Sequence, residues 1–197
     1  YTLTNNGNTW DGFTPTWDDM GEPTNERQRF FSAYYPKPTL STSANEFVFS
    51  VATDQSAAGA YEASDLLSAI QSYTSKPQNG NINLRFSHHM ARIKVELVNG
   101  NGVSAEEVNN ATIILKNMPV SCIMEYDGEK RTDVTSRADI TPRKSDISGT
   151  NTFYALVPTF IGDNGVEIEI SVAGKVISKT VDLQYIFPGR EYLINLT

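Results

Sequence analysis

Apolar and polar residues alternate one for one through most of the second half of the chain. In VEIEISV, residues 166–172, Val166, Ile168, Ile170 and Val172 fall on one face and Glu167, Glu169 and Ser171 on the other. That period of two predicts a half-buried antiparallel strand. Ala111, Ile113 and Leu115, then Val120, Cys122, Met124 and Tyr126, then Phe153, Ala155 and Val157 repeat the pattern. Ala173-Gly174 or Gly174-Lys175 predicts a tight turn into residues 176–185, and Pro188-Gly189 another into EYLINLT at the end. Short strands separated by turns every ten or so residues predict a β-sandwich.

The first half is more mixed. Residues 1–28 are polar and turn-rich around Trp10, Phe13 and Trp17. RFFSAYY (29–35) and EFVFSV (46–51) read as strands expected to pair with each other. SDLLSAIQSY (64–73) places Leu66, Leu67, Ile70 and Tyr73 at helical spacing after Ser64, a candidate N-cap, and predicts one short helix. SKPQNG (75–80) then breaks the chain.

FSHHMARIKVEL (86–97) holds a change of parity. Ile82, Leu84, Phe86, His88 and Met90 are even, whereas Ile93, Val95 and Leu97 are odd. One flat strand cannot face one core with both sets. Either a β-bulge intervenes or the strand leaves one core for another. The break before it and the fresh strands after it favour a strand crossing between domains, so residues 1–87 and 88–197 are the expected domains. Phe86 should face the first core, and Ile93, Val95 and Leu97 the second.

Composition narrows the function. At 197 residues the chain suits one large or two small domains, and 39% apolar residues can fill a core. A net charge of -7 with scattered Lys and Arg argues against nucleic acid as a partner. Cys122 stands alone, which excludes an internal disulfide, and no apolar run reaches the ~20 residues of a membrane-spanning helix.

Reactive chemistry is sparse. Alternation puts His88 and His89 on opposite faces, so they cannot share one metal ion as a strand pair two apart could. The nearest approach to a nucleophile elbow, Gly102-Val103-Ser104-Ala105-Glu106, lacks its last glycine; Ser104 reads better as the cap of a single helical turn. Trp10 and Trp17, beside Asp11, Asp18, Asp19 and Glu22, are candidate ligand-facing aromatics in a stretch whose rings and acidic oxygens suit a sugar or calcium, though without the regular ligand spacing of a calcium loop, set against a loop whose tryptophans cover the first sandwich. Nothing calls for a cofactor, a metal or a catalytic residue, and the chain reads as non-enzymatic.

Taken in order, FSAYYP at 31–36, TDQS at 53–56, SDLL at 64–67, LRFSHHMARIKVEL at 84–97 and LQYIFPGREYLINL at 183–196 resemble the fimbrillin-like (Mfa-like) family of Bacteroidales surface proteins. The resemblance implies an all-β fold of two tandem transthyretin-like sandwiches. It implies export as a lipoprotein to the outer membrane and a place in a fimbrium as building block, anchor or tip adhesin, with membrane contact only through a lipid anchor outside these residues. It also implies assembly by strand exchange: proteolysis removes a first strand, and an extension of the next subunit fills the groove. On that expectation the start at Tyr1 reads as a matured chain, and the stop at Thr197 as an acceptor-only tip molecule or a shortened chain. Expected partners are other fimbrial subunits and, beyond them, a host protein or glycan; the alternative function is an outer-membrane carbohydrate-binding module.

Overall fold

The computed structural model describes residues 4–5, 10–11, 16–38, 46–100, 102–125, 130–147, 150–161 and 165–197, with backbone alone at 4–5, 10–11, 130–134 and 161. The first elements are β1 (Thr4–Asn5), β2 (Trp10–Asp11), α1 (Trp17–Met20), β3 (Arg29–Tyr35), β4 (Glu46–Ser50), α2 (Ala60–Ala63) and β5 (Leu67–Tyr73). β6 (Ser87–His88), β7 (Ala91–Leu97), α3 (Ala105–Asn109), β8 (Thr112–Glu125), β9 (Lys130–Ile140) and β10 (Arg143–Lys144) follow. The chain closes with β11 (Thr152–Val157), β12 (Phe160–Ile161), β13 (Val166–Val172), β14 (Lys175–Val181), β15 (Tyr185–Ile186) and β16 (Glu191–Leu196). The fold is all-β, as its alternation predicts.

Backbone contacts divide the chain into two compact units, Tyr1–Ala33 with Ala69–Arg85, and Tyr34–Ser68 with Phe86–Thr197. This differs from the expected division at residue 87. β4 pairs antiparallel with β8, setting Phe47 opposite Met124 and Phe49 opposite Cys122. Phe47, Phe49, Val51 and Leu66 therefore share one buried cluster with Ile93, Val95 and Ile168. Pairing across some seventy-five residues leaves no local trace, so the partner of β4 could not be read from periodicity. The expected pairing of 29–35 with 46–51 is likewise replaced: β3 lies next to β5.

The larger unit is a sandwich. One sheet runs β10-β11-β7-β16 and the other β14-β13-β8-β4, with β9 also on β8. Ile93, Val95, Phe153, Ala155 and Ile194 from the first meet Phe49, Ile113, Leu115, Ile168 and Ile170 from the second in one core. β13 matches its alternation, with Val166, Ile168 and Ile170 buried and Glu167 exposed. Ala173 and Gly174, at φ 50° and 71°, make the two-residue turn into β14, the left-handed pair that matches strand twist. β16 runs parallel to β7.

β8 is one strand where the sequence reads two. Its buried positions shift from odd (Ile113, Leu115) to even (Met118, Val120, Cys122), and a register shift lies between Leu115 and Met118. Asn117 sits there at φ 49°, the backbone of a β-bulge. Asp139 holds it, accepting from the Asn117 N–H at 2.9 Å and from Lys116 Nζ. Arg137 donates to the Asn117 carbonyl at 3.0 Å.

The helix expected over 64–73 is not formed: this stretch is β5, preceded by the single turn α2. Ser64 ends α2 rather than starting a helix, donating to the Ala60 carbonyl and accepting from the Ala52 N–H. Leu67 and Ser68 pair with His88 and Ser87 of β6. For so short an apolar run, strand pairing decides the conformation over spacing. The turn capped by Ser104 is present, with Ser104 and Glu107 forming a reciprocal capping box.

The smaller unit gathers aromatic rings around Trp17. Its ring meets those of Phe31 and Tyr73 edge to face at 5.7 and 5.9 Å, and its Nε1–H donates to the Gly80 carbonyl at 3.0 Å.

Candidate assembly interface

Two seven- and six-residue strands end the two sheets of the sandwich, and they are built differently. β14 pairs with β13 along its whole length. The register sets Lys175 opposite Val172, Ile177 opposite Ile170, Lys179 opposite Ile168 and Val181 opposite Val166, so these four side chains share the core-side face. Two of the four are lysines, and all of β14 except half-buried Val181 is exposed. Charge directed inward on an edge is a known guard against further pairing.

β16 pairs with β7 alone among the described strands. Tyr192 lies beside Ile93, Ile194 beside Val95 and Leu196 beside Leu97, so this face continues that of β7 into the core. Ile194 is buried, whereas Tyr192 and Leu196 are only half-buried against the cluster. Leu193, on the outer face, is exposed. The strand carries no lysine and no proline. Its one charge, Glu191, is held at its first residue by Arg92, Nη2 to Oε2 2.5 Å. Among the described residues, the second edge of β16 is therefore an open row of backbone groups above a margin of core that its own side chains do not fully cover.

The residues singled out from the sequence fall as follows. Ile93, Val95 and Met90 are buried, and Leu97 packs on the same cluster. Phe86, expected in a first core, is 44% exposed, and His88 is exposed beside it. The chain does change sheets here, since β6 belongs with β3 and β5 and β7 with the four-stranded sheet. β6 and β7 themselves both belong to the larger unit. Packing His89, Met90 and Ala91 consecutively into the interior produces the parity change.

The paired histidines have separate tasks. His88 Nδ1 lies 2.9 Å from Asp65, and buried His89 meets buried Ser68, Nε2 to Oγ 2.6 Å. The Ser68 hydroxyl thus meets one ring and the Asp65 carboxylate the other. Trp17 is buried at the centre of its ring cluster and offers no face to a ligand. The side chain of Trp10 lies outside the described residues. Cys122 is fully buried. Among the described residues no three of His, Cys, Asp and Glu are grouped as metal ligands.

The open edge of β16 was not singled out from the sequence. EYLINL reads as an ordinary strand, and its only distinguishing signal is the lack of Lys or Pro in an apolar segment.

Comparison with known families and structures adds a context. The family model described as fimbrillin-like matches residues 1–197. Among solved structures, a candidate cell adhesion protein of Bacteroides uniformis is 16% identical, with a TM-score of 0.67 over 86% of this chain and 68% of that one. One of Bacteroides ovatus is 17% identical, with a TM-score of 0.67 over 85% and 62%. A fimbrial protein of Bacteroides ovatus is 18% identical, with a TM-score of 0.56 over 98% of this chain and 39% of that one. These likenesses are of fold. A comparison with curated proteins finds no match.

Proposed function

This chain belongs to the fimbrillin-like family, and from that premise we propose that it is a non-enzymatic cell-surface subunit or adhesin of a fimbrium that joins its neighbours by β-strand addition. On this reading it is exported through the outer membrane and held by a lipid anchor or by the fimbrium itself. Its working part is backbone rather than reactive side chains: the free edge of β16 takes a strand from another subunit. The observation that carries the reading is that β16 is largely apolar, unguarded and, among the described strands, paired on one side only. An incoming strand would satisfy its N–H and C=O groups, and its inward side chains would cover Tyr192 and Leu196.

The test is a panel of synthetic peptides copying the terminal strands of fimbrillin-like proteins. Binding should give a heat-resistant complex in which the amides of β16 gain protection from hydrogen exchange. Leu193→Lys should weaken it by repelling the packed strand, whereas Ile177→Lys on β14 should not. If no peptide binds, or if protection appears along β14 instead, the assignment of the edge is wrong.

A further inference from the structure

The outer face of the four-stranded sheet carries a feature that edge-to-edge assembly does not use. A cleft of about 290 Å³ opens there, with Arg92 and Arg143 on its walls beside Tyr61, Asp146, Ile147 and Tyr154. The strand register brings them together: Arg143 of β10 lies directly across from Tyr154 of β11, whose next outward neighbour, Leu156, is across from Arg92 of β7.

Both guanidinium groups are fixed before anything binds. Arg92 lies over the ring of Tyr154, 5.6 Å from its centre, and Arg143 over that of Tyr61 at 5.8 Å. Arg92 is held by Glu191, and Arg143 by Glu62 through Nη1 and by Asp146 through Nη2 at 2.8 Å. A guanidinium has five N–H donors, so both retain donors for the cleft. The side chain of Arg92 is 50% exposed and that of Arg143 37%.

Charge selects the ligand class. Asp146 is the carboxylate among the lining residues, and Glu191 and Glu62, outside the lining, already pair with Arg92 and Arg143, so a phosphate or sulfate would meet arginines whose charge is already met, and a cation would face two guanidiniums. A neutral molecule with several hydroxyls meets neither penalty. Each hydroxyl both accepts and donates, so it can take a hydrogen bond from arginine and give one to the Asp146 carboxylate. Its C–H surface can rest on the tyrosine rings and on Ile147, which is 67% exposed. The volume sits at the lower end of the ~300–1,000 Å³ of small-molecule sites, enough for one sugar ring with the rest of a chain lying over the rim.

We propose that the cleft between Arg92 and Arg143 binds a single neutral hexose residue of a glycan. The site lies on the sheet face and not at the β16 edge, so it stands or falls independently of strand addition. The experiment is an amide-resolved NMR titration of the whole chain with the methyl glycosides of glucose, mannose and galactose. At least one should give saturable shifts centred on Tyr61, Arg143, Asp146 and Tyr154. Arg143→Ala should weaken that binding by about tenfold or more, the worth of a charged hydrogen bond. Ile147→Trp, at an exposed position that leaves folding intact, should fill the cleft and abolish it, and it decides the matter if Arg143→Ala does not fold. The proposal is overturned if none of the three glycosides binds, if the shifts centre elsewhere, if Ile147→Trp binds as tightly as the parent, or if inorganic phosphate displaces the sugar from the same residues.

Discussion

The edges at β14 and β16 close the two sheets of one sandwich, yet only one is defended. β14 turns Lys175 and Lys179 toward the core side, where a hydrophobic strand would otherwise extend the sheet, and it is exposed along nearly its whole length. β16 turns Tyr192, Ile194 and Leu196 the same way and buries them wholly or partly. A sheet edge is a template for pairing by default, because its backbone groups are half satisfied. On the proposed reading, the β14 edge is closed to partners and the β16 edge open to them.

The largest effect that would test this contrast is the insertion of charge. Ile194→Asp should cost about 4 kcal/mol or more, because an unpaired carboxylate enters the core, whereas Ile177→Asp at the 49% exposed position of β14 should stay within about 1 kcal/mol. Urea denaturation of both variants measures the gap. Similar losses would mean that β14 is as much part of the core as β16.

A second change loosens β14 alone. Gly165 has φ +76°, and a Cβ there would lie 2.4 Å from the Val181 carbonyl oxygen. Gly165→Ala should therefore cost about 1–3 kcal/mol in backbone strain, with the clash added. Hydrogen exchange should speed up along β14 while β16 keeps its protection.

The guard itself can be removed. In Lys175→Val/Lys179→Val the inward face of β14 becomes Val, Ile, Val and Val, and the protein should self-associate with rising concentration in light-scattering chromatography. A variant that stays monomeric would show that the lysines do not guard the edge.

The smallest effect concerns pH. Asp139 pins the bulge in the same sheet as β14, and hydrogen bonds from Lys116, then from the Asn117 N–H, hold its carboxyl below the usual range. A depressed carboxyl stabilises the fold fully above its unfolded pKa of about 3.9, and the contribution is lost as pH falls through the folded value. Below about pH 4, protection of the Asn117 amide should therefore fall before that of the β16 amides, and Asp139→Asn should remove this pH dependence. The pair is exposed, so added salt should shrink the effect.

The local sequence by itself determined the all-β fold, the strands at β3, β4, β11, β13 and β16, a tight turn at Gly174 with one of its neighbours and the cap at Ser104, because each of these is set by side chains within a few residues of one another. The order of residues also carried the family resemblance. Tertiary structure decided everything that rests on distant pairing. It made residues 67–73 a strand against β6 when their spacing reads as helix, drew β4 into the larger unit through β8, and turned the parity change after His88 into a passage between sheets. It also decided the character of the edges. Whether a lysine faces the core or a strand lies open depends on register and on which neighbour fills each side, and those follow from contacts that no local pattern encodes.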